Sequence, residues 1–260
     1  MSVDRITYVG HATALIELDG VRLLTDPVLR PRLLRVIVRH GAEPAPEVAE
    51  RIDAVLISHL HHDHLDFASL ERIGPEVPVI APAGGGRVIR RRRSSKVIEL
   101  GAGEAIEVGG IEVRATVAIH DGRRHKIGPR VDAVGYLLGG ASRSVYFAGD
   151  TDLFASMDEL ADDLDAALLP IGGWGPRVGP GHLDPGRAAE AAAMLRPRLA
   201  IPIHWGTLLR FDLGRRAEEL LHAPARRFVA QLAESAPGVE AAVLEPGESV
   251  ALSGSPRDSA

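Results

Sequence analysis

With 260 residues, 45% of them hydrophobic and 25% charged, the chain has ordinary globular usage and enough apolar content to bury a core. A net charge of −5 argues against broad electrostatic capture of nucleic acid or anionic membrane, so nucleic acid is not an expected partner. The absence of cysteine removes disulfides, thiolate ligands and a cysteine nucleophile, leaving His, Asp and Glu to hold any metal.

Met1-Ser2-Val3-Asp4-Arg5 lacks the apolar core of a signal peptide, and no stretch of about 18 apolar residues offers a membrane span. A cytoplasmic protein is expected, with peripheral membrane contact left open. Strands are predicted at Ile6–Val9, Thr13–Leu18 and Val21–Thr25, the last two joined by the turn Asp19-Gly20. The arginine-rich and apolar stretch Pro31–His40 reads as a packed surface helix; an amphipathic cover over a site or a membrane contact is the sharper alternative. Ala54–Ile57 is a short buried-type strand that runs directly into His59. Strands follow at Val79–Ala81, Val97–Leu100, Ala105–Val108 and Ile111–Ala118, with a short helix over Gly86–Arg93. The run Arg87-Val88-Ile89-Arg90-Arg91-Arg92-Arg93 reads as a solvated face, against contact with an anionic substrate or lipid headgroup.

In the second half, strands are predicted at Val134–Leu138, Val145–Ala148, Ala166–Pro170, Leu199–Ile203 and Ala241–Leu244. The clearest helix is Pro185–Leu195, with Asp184 as N-cap, Pro185 at the first helical position and Pro197 beyond its end. A second helix is expected over Arg226–Glu234. A single domain over residues 1–252, with a disordered tail over 253–260, is the expected organisation.

Chemistry concentrates in His59-Leu60-His61-His62-Asp63-His64, directly after an apolar strand. Neutral imidazole and carboxylate bind borderline divalent ions, and a loop after a strand lets alternate side chains converge. His59 and His61 would face one ion, Asp63 and His64 a second. These groups cannot complete two coordination shells, and His120, Asp150 and His204, each at a predicted strand end, are the candidate remaining ligands. His125 competes with His120 but sits in the polar loop after Asp121-Gly122-Arg123-Arg124.

These pieces resemble the metallo-β-lactamase superfamily, in particular the branch of N-acylphosphatidylethanolamine phospholipase D and the ascorbate-phosphate lactonases. The resemblance rests on Gly10-His11-Ala12-Thr13, Leu24-Thr25-Asp26-Pro27, Ile57 to Asp66, Ala148-Gly149-Asp150-Thr151, His182-Leu183-Asp184-Pro185 and Ile203-His204-Trp205-Gly206-Thr207, in that order. It implies an α/β (α+β) fold, the four-layer αββα sandwich, with the site at one edge where two sheets meet. It assigns His59, His61 and His120 to one metal, Asp63, His64 and His204 to the other, and Asp150 as a bridge. Catalysis is assigned to Asp63 among the ligands together with His182, whose counterpart in the family contacts the scissile group or protonates the leaving group.

Two ions about 3.5 to 4 Å apart share a water, lower its pKa toward about 7 and present a bridging hydroxide to a phosphoryl or carbonyl centre. Zinc is the expected metal, with manganese or iron as alternatives. Asp26 and Asp66 are expected to orient metal-binding histidines through their second ring nitrogens. Trp174, Arg177 and Trp205 are candidate substrate contacts, the arginine as partner of an anionic oxygen. The leading expectation is a binuclear hydrolase of a phosphodiester, either a phospholipid or a small phosphorylated metabolite. A lactonase or carboxylic-ester hydrolase is the alternative, and a non-catalytic metal-binding sensor or scaffold the remote one.

Overall fold

The glycine-punctuated strands assemble into two seven-stranded sheets that pack face to face in a computed structural model describing residues 3–92, 96–125, 128, 130–160, 163–175 and 178–252. The first sheet has the spatial order Ser249–Ala251, Arg5–Gly10, Thr13–Leu18, Val21–Thr25, Ala54–Leu56, Val79–Pro82, Val97–Leu100. The second runs Glu240–Ala241, Leu199–Ile203, Ala166–Pro170, Ser144–Phe147, Asp132–Gly139, Ile111–Asp121, Ala105–Val108. Both are mixed. Pairing is parallel from Val21–Thr25 through Val97–Leu100, and again from Ser144–Phe147 through Glu240–Ala241.

Side-chain alternation along each strand then dictates the layers. Ile16, Leu23 and Leu56 of the first sheet meet Val113, Tyr136, Phe147, Leu168 and Ile201 of the second in one inter-sheet core. The alternate residues Leu24, Val55, Ile57 and Val79 face outward, where helices α1 (Phe67–Ile73) and α2 (Gly86–Arg90) cover them with Leu70, Ile73 and Ile89. On the opposite side Tyr146, Ala167, Leu169 and Ala200 are covered by α3 (Pro185–Leu195) and α4 (Ala217–Ser235) through Ala188, Ala192, Leu195, Phe228 and Leu232. Burial on both faces explains why Ala166–Pro170 and Leu199–Ile203 read as unbroken apolar runs. The result is the expected αββα order.

Asp184 caps α3 as predicted, accepting from Gly186 N at 2.9 Å and Arg187 N at 3.0 Å. Helix α4 begins at Ala217, well before the expected Arg226, and runs through Pro224, a residue that from sequence marks a helix boundary. The expected helix in Pro31–His40 is instead a hairpin of strands Arg32–Leu33 and Ile37–Arg39, joined by Leu34 and Arg35 in the left-handed region, with Leu208–Arg210 as its third strand. Among the described residues no helix is long and apolar enough to cross a membrane. The tail 253–260, Arg93 and Arg177 lie outside the described residues.

Candidate metal centre

Parallel strands deliver their carboxyl ends to one edge of a sandwich, and that edge is where ligands collect in open α/β sheets. His59 follows Ala54–Leu56, Asp150 follows Ser144–Phe147, His204 follows Leu199–Ile203, and His120 ends Ile111–Asp121. The loops joining them are bent hard. His11, Asp26 and His204 hold φ of 57°, 33° and 62°, left-handed backbone that costs non-glycine residues energy and tends to persist where surrounding contacts over-determine it. Gly149 (φ 60°) precedes Asp150 so closely against Ser58 that a Cβ there would lie 2.5 Å from the serine Cβ. Backbone bonds lock the edge: His204 N donates to His11 O at 2.7 Å, and His11 N to Thr207 Oγ1 at 3.1 Å.

The expected ligands converge in two groups. His59, His61 and His120 place a ring nitrogen each within 4.8 Å of one another, and ring nitrogens of His64, His204 and His11 lie equally close to one another and to a carboxylate oxygen of Asp63. Asp150 lies between the two. Its Oδ2 is 3.2 Å from His64 Nε2, 3.4 Å from His204 Nε2 and 3.8 Å from His59 Nε2. Its Oδ1 is buried without a hydrogen-bond partner.

The hydrogen-bond partners of the outer ring nitrogens test whether this cluster fits a cation. His64 Nδ1 donates to Asp26 Oδ2 at 2.7 Å, His204 Nδ1 to Gly172 O at 2.6 Å, and His120 Nδ1 to Gly181 O at 2.8 Å. Ser58 gives its hydroxyl proton to Asp26 at 2.5 Å and accepts from His59 Nδ1 at 3.0 Å. Each of these imidazoles, when neutral, therefore turns an Nε2 lone pair inward. The lone pairs face further ring nitrogens: His64 Nε2 and His204 Nε2 are 3.2 Å apart, while His61 Nδ1 is 3.0 Å from His59 Nε2 and 3.1 Å from His120 Nε2. Nitrogen lone pairs that close repel unless a proton or a metal cation sits among them. Neutral imidazole with carboxylate is the donor set a borderline divalent ion takes.

The electrostatics agree. Burial, with neighbouring imidazoles adding to it, pushes His59 well below the ordinary histidine range and His120 down to about 4, so both stay neutral near pH 7. Burial also opposes charge on His64, but Asp150, Asp26 and Asp63 outweigh it and hold its pKa well above the ordinary value. That demand for positive charge is one a bound cation meets as well as a proton. Burial likewise penalises the Asp150 and Asp63 carboxylates, yet the surrounding histidines hold both well below the usual range.

His182 turns its Nε2 to within 3.4 Å of Asp150 Oδ2, while its Nδ1 lies 3.1 Å from Gly179 O and 3.2 Å from Pro180 O. A cavity of about 420 Å³ opens over the cluster. His61, Asp63, Asp150, His182 and His204 form its polar side, and Leu34, Ile37, Trp174 and Val178 its apolar side. The hairpin that replaced the expected helix thus does cover the site.

Two expectations need adjustment. Trp205 does not line this cavity: it is 2% exposed, stacks on Tyr8 at 6.2 Å, and donates its indole N–H to Pro202 O. Asp66 touches no histidine; it caps α1, accepting from Ser69 N at 3.1 Å and Ser69 Oγ at 2.7 Å, and pairs with Arg30 at 2.9 Å. Asp26 alone orients a ligand. His125 packs toward His62, with ring centroids 5.5 Å apart, rather than toward the cluster. Sequence reasoning missed what His11 does: buried completely, its Nε2–H donates to Asp63 Oδ2 at 2.9 Å and fixes that carboxylate. It also missed Ser58, whose only sequence signal is its place beside His59.

A family model for a beta-lactamase superfamily domain matches residues 21–205. The chain is 33% identical over 260 residues to a UPF0173 metal-dependent hydrolase of Methanopyrus kandleri, covering 94% of this chain and 98% of the relative. It is 31% identical over 230 residues to N-acyl-phosphatidylethanolamine-hydrolyzing phospholipase D 1 of Caenorhabditis elegans, covering 77% of this chain and 63% of that protein. Among solved structures, the metallo hydrolase Igni18 of Ignicoccus hospitalis superposes with a TM-score of 0.72 at 26% identity, covering 96% of this chain and 98% of its own. Family match, relatives and the histidine–aspartate cluster at the sandwich edge agree: the chain belongs to the metallo-β-lactamase superfamily, as a metal-dependent hydrolase of that fold.

Proposed function

We propose that the protein hydrolyses a phosphodiester with two divalent ions, one held by His59, His61 and His120, the other by Asp63, His64 and His204, with Asp150 shared. The observation that carries the two-ion reading is the position of Asp150 Oδ2, between 3.2 and 3.8 Å from ring nitrogens of both groups. When bound, such ions lower the pKa of a water between them and polarise the substrate oxygen, which is why no protein nucleophile is required. Zinc suits the nitrogen-rich donor set best.

The chain's own residues supply the rest. Asp26, Ser58 and the carbonyls of Gly172 and Gly181 fix the tautomers of the ligand imidazoles. His11 holds Asp63 ionised and in place. His182 is suited by position to general acid catalysis: its Nε2 lies at the cavity wall 3.4 Å from Asp150 Oδ2, and although burial disfavours its charged form, that carboxylate more than compensates and raises its pKa. The proton at Nε2 passes to the leaving oxygen. Leu34, Ile37, Trp174 and Val178 favour a substrate with an apolar portion, in keeping with a phospholipid-like diester. The phospholipase D relative supports that class, and a cytoplasmic site of action is part of the proposal.

The test is hydrolysis of bis(p-nitrophenyl) phosphate by zinc- and manganese-loaded protein, with His204→Ala as blank and metal content measured in parallel. Turnover that disappears in the blank, with two ions bound per wild-type chain, supports the proposal. Two bound ions without phosphodiester turnover would redirect it to lactones and carboxylic esters.

A further inference from the structure

A second cavity, of about 550 Å³, adjoins the first across His62, which lines both. Its walls bring together Arg87, Arg91, Arg92 and Arg124, with His62 and His125, over an apolar floor of Leu60, Phe67 and Val88. Among the described residues no carboxylate lines it. Among the described residues Arg87, Arg91 and Arg92 make no ion pair, although the chain as a whole has a net charge of −5. Such a concentration of like charge around one concavity is self-repelling and focuses a positive potential into it.

The cluster is also built. Arg92 and Arg124 both stand over the Phe67 ring, at 5.6 and 5.1 Å from its centroid. Arg124 is anchored by donating to Leu60 O at 3.1 Å and to Leu65 O, and by donating to His62 Nδ1 at 2.8 Å. Because His62 Nδ1 is held as an acceptor, the neutral ring carries its proton on Nε2 and is a fixed donor. Guanidinium has five N–H donors and Arg124 spends only part of them on these partners. Burial, with Arg92 and Arg30 acting against Asp66 and Asp63, pushes the Arg124 guanidinium down to about 10, as expected where positive charge is crowded and partly dry.

From this arrangement we infer that the arginine cavity is a phosphate-binding site, separate from the metal centre and joined to it by the His62 wall. Planar guanidinium forks match phosphate oxygens bidentately, and the Phe67–Val88 floor accommodates the organic part that carries the phosphate. The phosphate belongs either to a lipid headgroup or to a free phosphorylated compound; the recognising chemistry is the same. The basic run that from sequence alone reads as a solvated face thereby gains a ligand. The inference does not depend on what the metal centre cleaves.

The experiment is isothermal titration of inorganic phosphate into the His204→Ala protein, in which anion binding at the metal centre is disrupted, and into the same protein carrying Arg87→Gln and Arg91→Gln. Both arginines are exposed, so the fold is not at stake, and a thermal melt checks this. Phosphate is expected to bind His204→Ala saturably and at least about ten-fold more weakly once both guanidiniums are gone, each bidentate pair contributing on the order of a ten-fold factor. Arg87→Lys with Arg91→Lys should restore part of the affinity. Co-sedimentation with phosphatidylcholine vesicles containing phosphatidic acid separates the sources: arginine-dependent vesicle binding identifies a headgroup, and phosphate binding without it a free compound. Equal phosphate affinity in the glutamine variant and its parent, or no binding to either probe, would overturn the inference.

Discussion

The two ligand groups at the sandwich edge are built from different materials. Asp63, His64, His204 and the supporting His11 are all buried, and the charged Asp26 holds His64 from behind. His61 and His120 are only half-buried, and the neutral Ser58 and a Gly181 carbonyl support their group. An outer carboxylate raises the basicity of the imidazole it holds more than a carbonyl or hydroxyl does, and burial removes water as a competitor. On the proposed two-ion reading, the buried group is therefore the tighter cation site, and the half-exposed group the one that exchanges. Chelator added to the two-ion protein should strip one ion rapidly and the second slowly, read as a biphasic loss of metal.

The residue common to both groups gives the largest expected effect. Asp150→Ala removes the carboxylate that lies between 3.2 and 3.4 Å from His64 and His204 and 3.8 Å from His59. Metal-dependent turnover should be lost altogether and metal content should fall at both groups. Retention of one full ion after this change would show that the groups are independent.

Asp26→Asn addresses chiefly the buried group. Removing a carboxylate behind a metal-binding histidine costs about 10- to 100-fold in metal affinity. The slow phase of chelation should accelerate by that factor, with the fast phase changed less. Because Asp26 also accepts from Ser58 N and Oγ, some effect on the His59 group is expected; an effect of equal size on both phases would erase the distinction drawn above.

Acidification sharpens the comparison from the other side. In the metal-free protein burial pushes His120 down to about 4 and His11 down to about 3, and it holds His59 well below the ordinary value near 6.5. Between about pH 6.5 and 4 the unfolded chain binds protons that these folded histidines refuse, so stability falls as pH falls. His64 and His182, whose values are raised, work in the opposite sense and do not add to the loss of stability in acid. Their stabilisation is lost instead as pH rises through their raised values. Melting temperature of the chelated protein should decline steadily over the acid window, and His120→Gln should flatten part of the decline.

What the sequence carried, and what it hid, follows from how local each feature is. Candidate ligands that follow apolar strands were legible, since the strand pattern and the residue type sit close together at His59, Asp150 and His204. The layer order came with the family resemblance, and the unbroken apolar run Ala166–Pro170 was legible by itself only as a strand. The Pro31–His40 hairpin was not, because its third strand, Leu208–Arg210, lies far along the chain and only the pairing makes the segment extended. Trp205 was misplaced because neighbours in sequence at a strand end point to opposite sides: His204 turns to the cluster and Trp205 to Tyr8.

Asp26, far upstream in Thr25-Asp26-Pro27, and Asp66, just after the histidine run, were both expected to orient metal-binding histidines, and the smallest predicted effect separates them. Asp66 serves α1, accepting from Ser69 N and Oγ, and holds Arg30 at a surface where that arginine is nearly half exposed. A screened pair of that kind adds little, so the loss on Asp66→Ala is mainly that of an N-cap, about 1 kcal/mol. Metal content and both phases of chelation should match the wild type, while denaturant unfolding shifts by that amount. If Asp66→Ala instead released an ion as Asp26→Asn does, α1 itself would be part of what holds His64 in place, and the division between a site-supporting and a helix-supporting aspartate would fall.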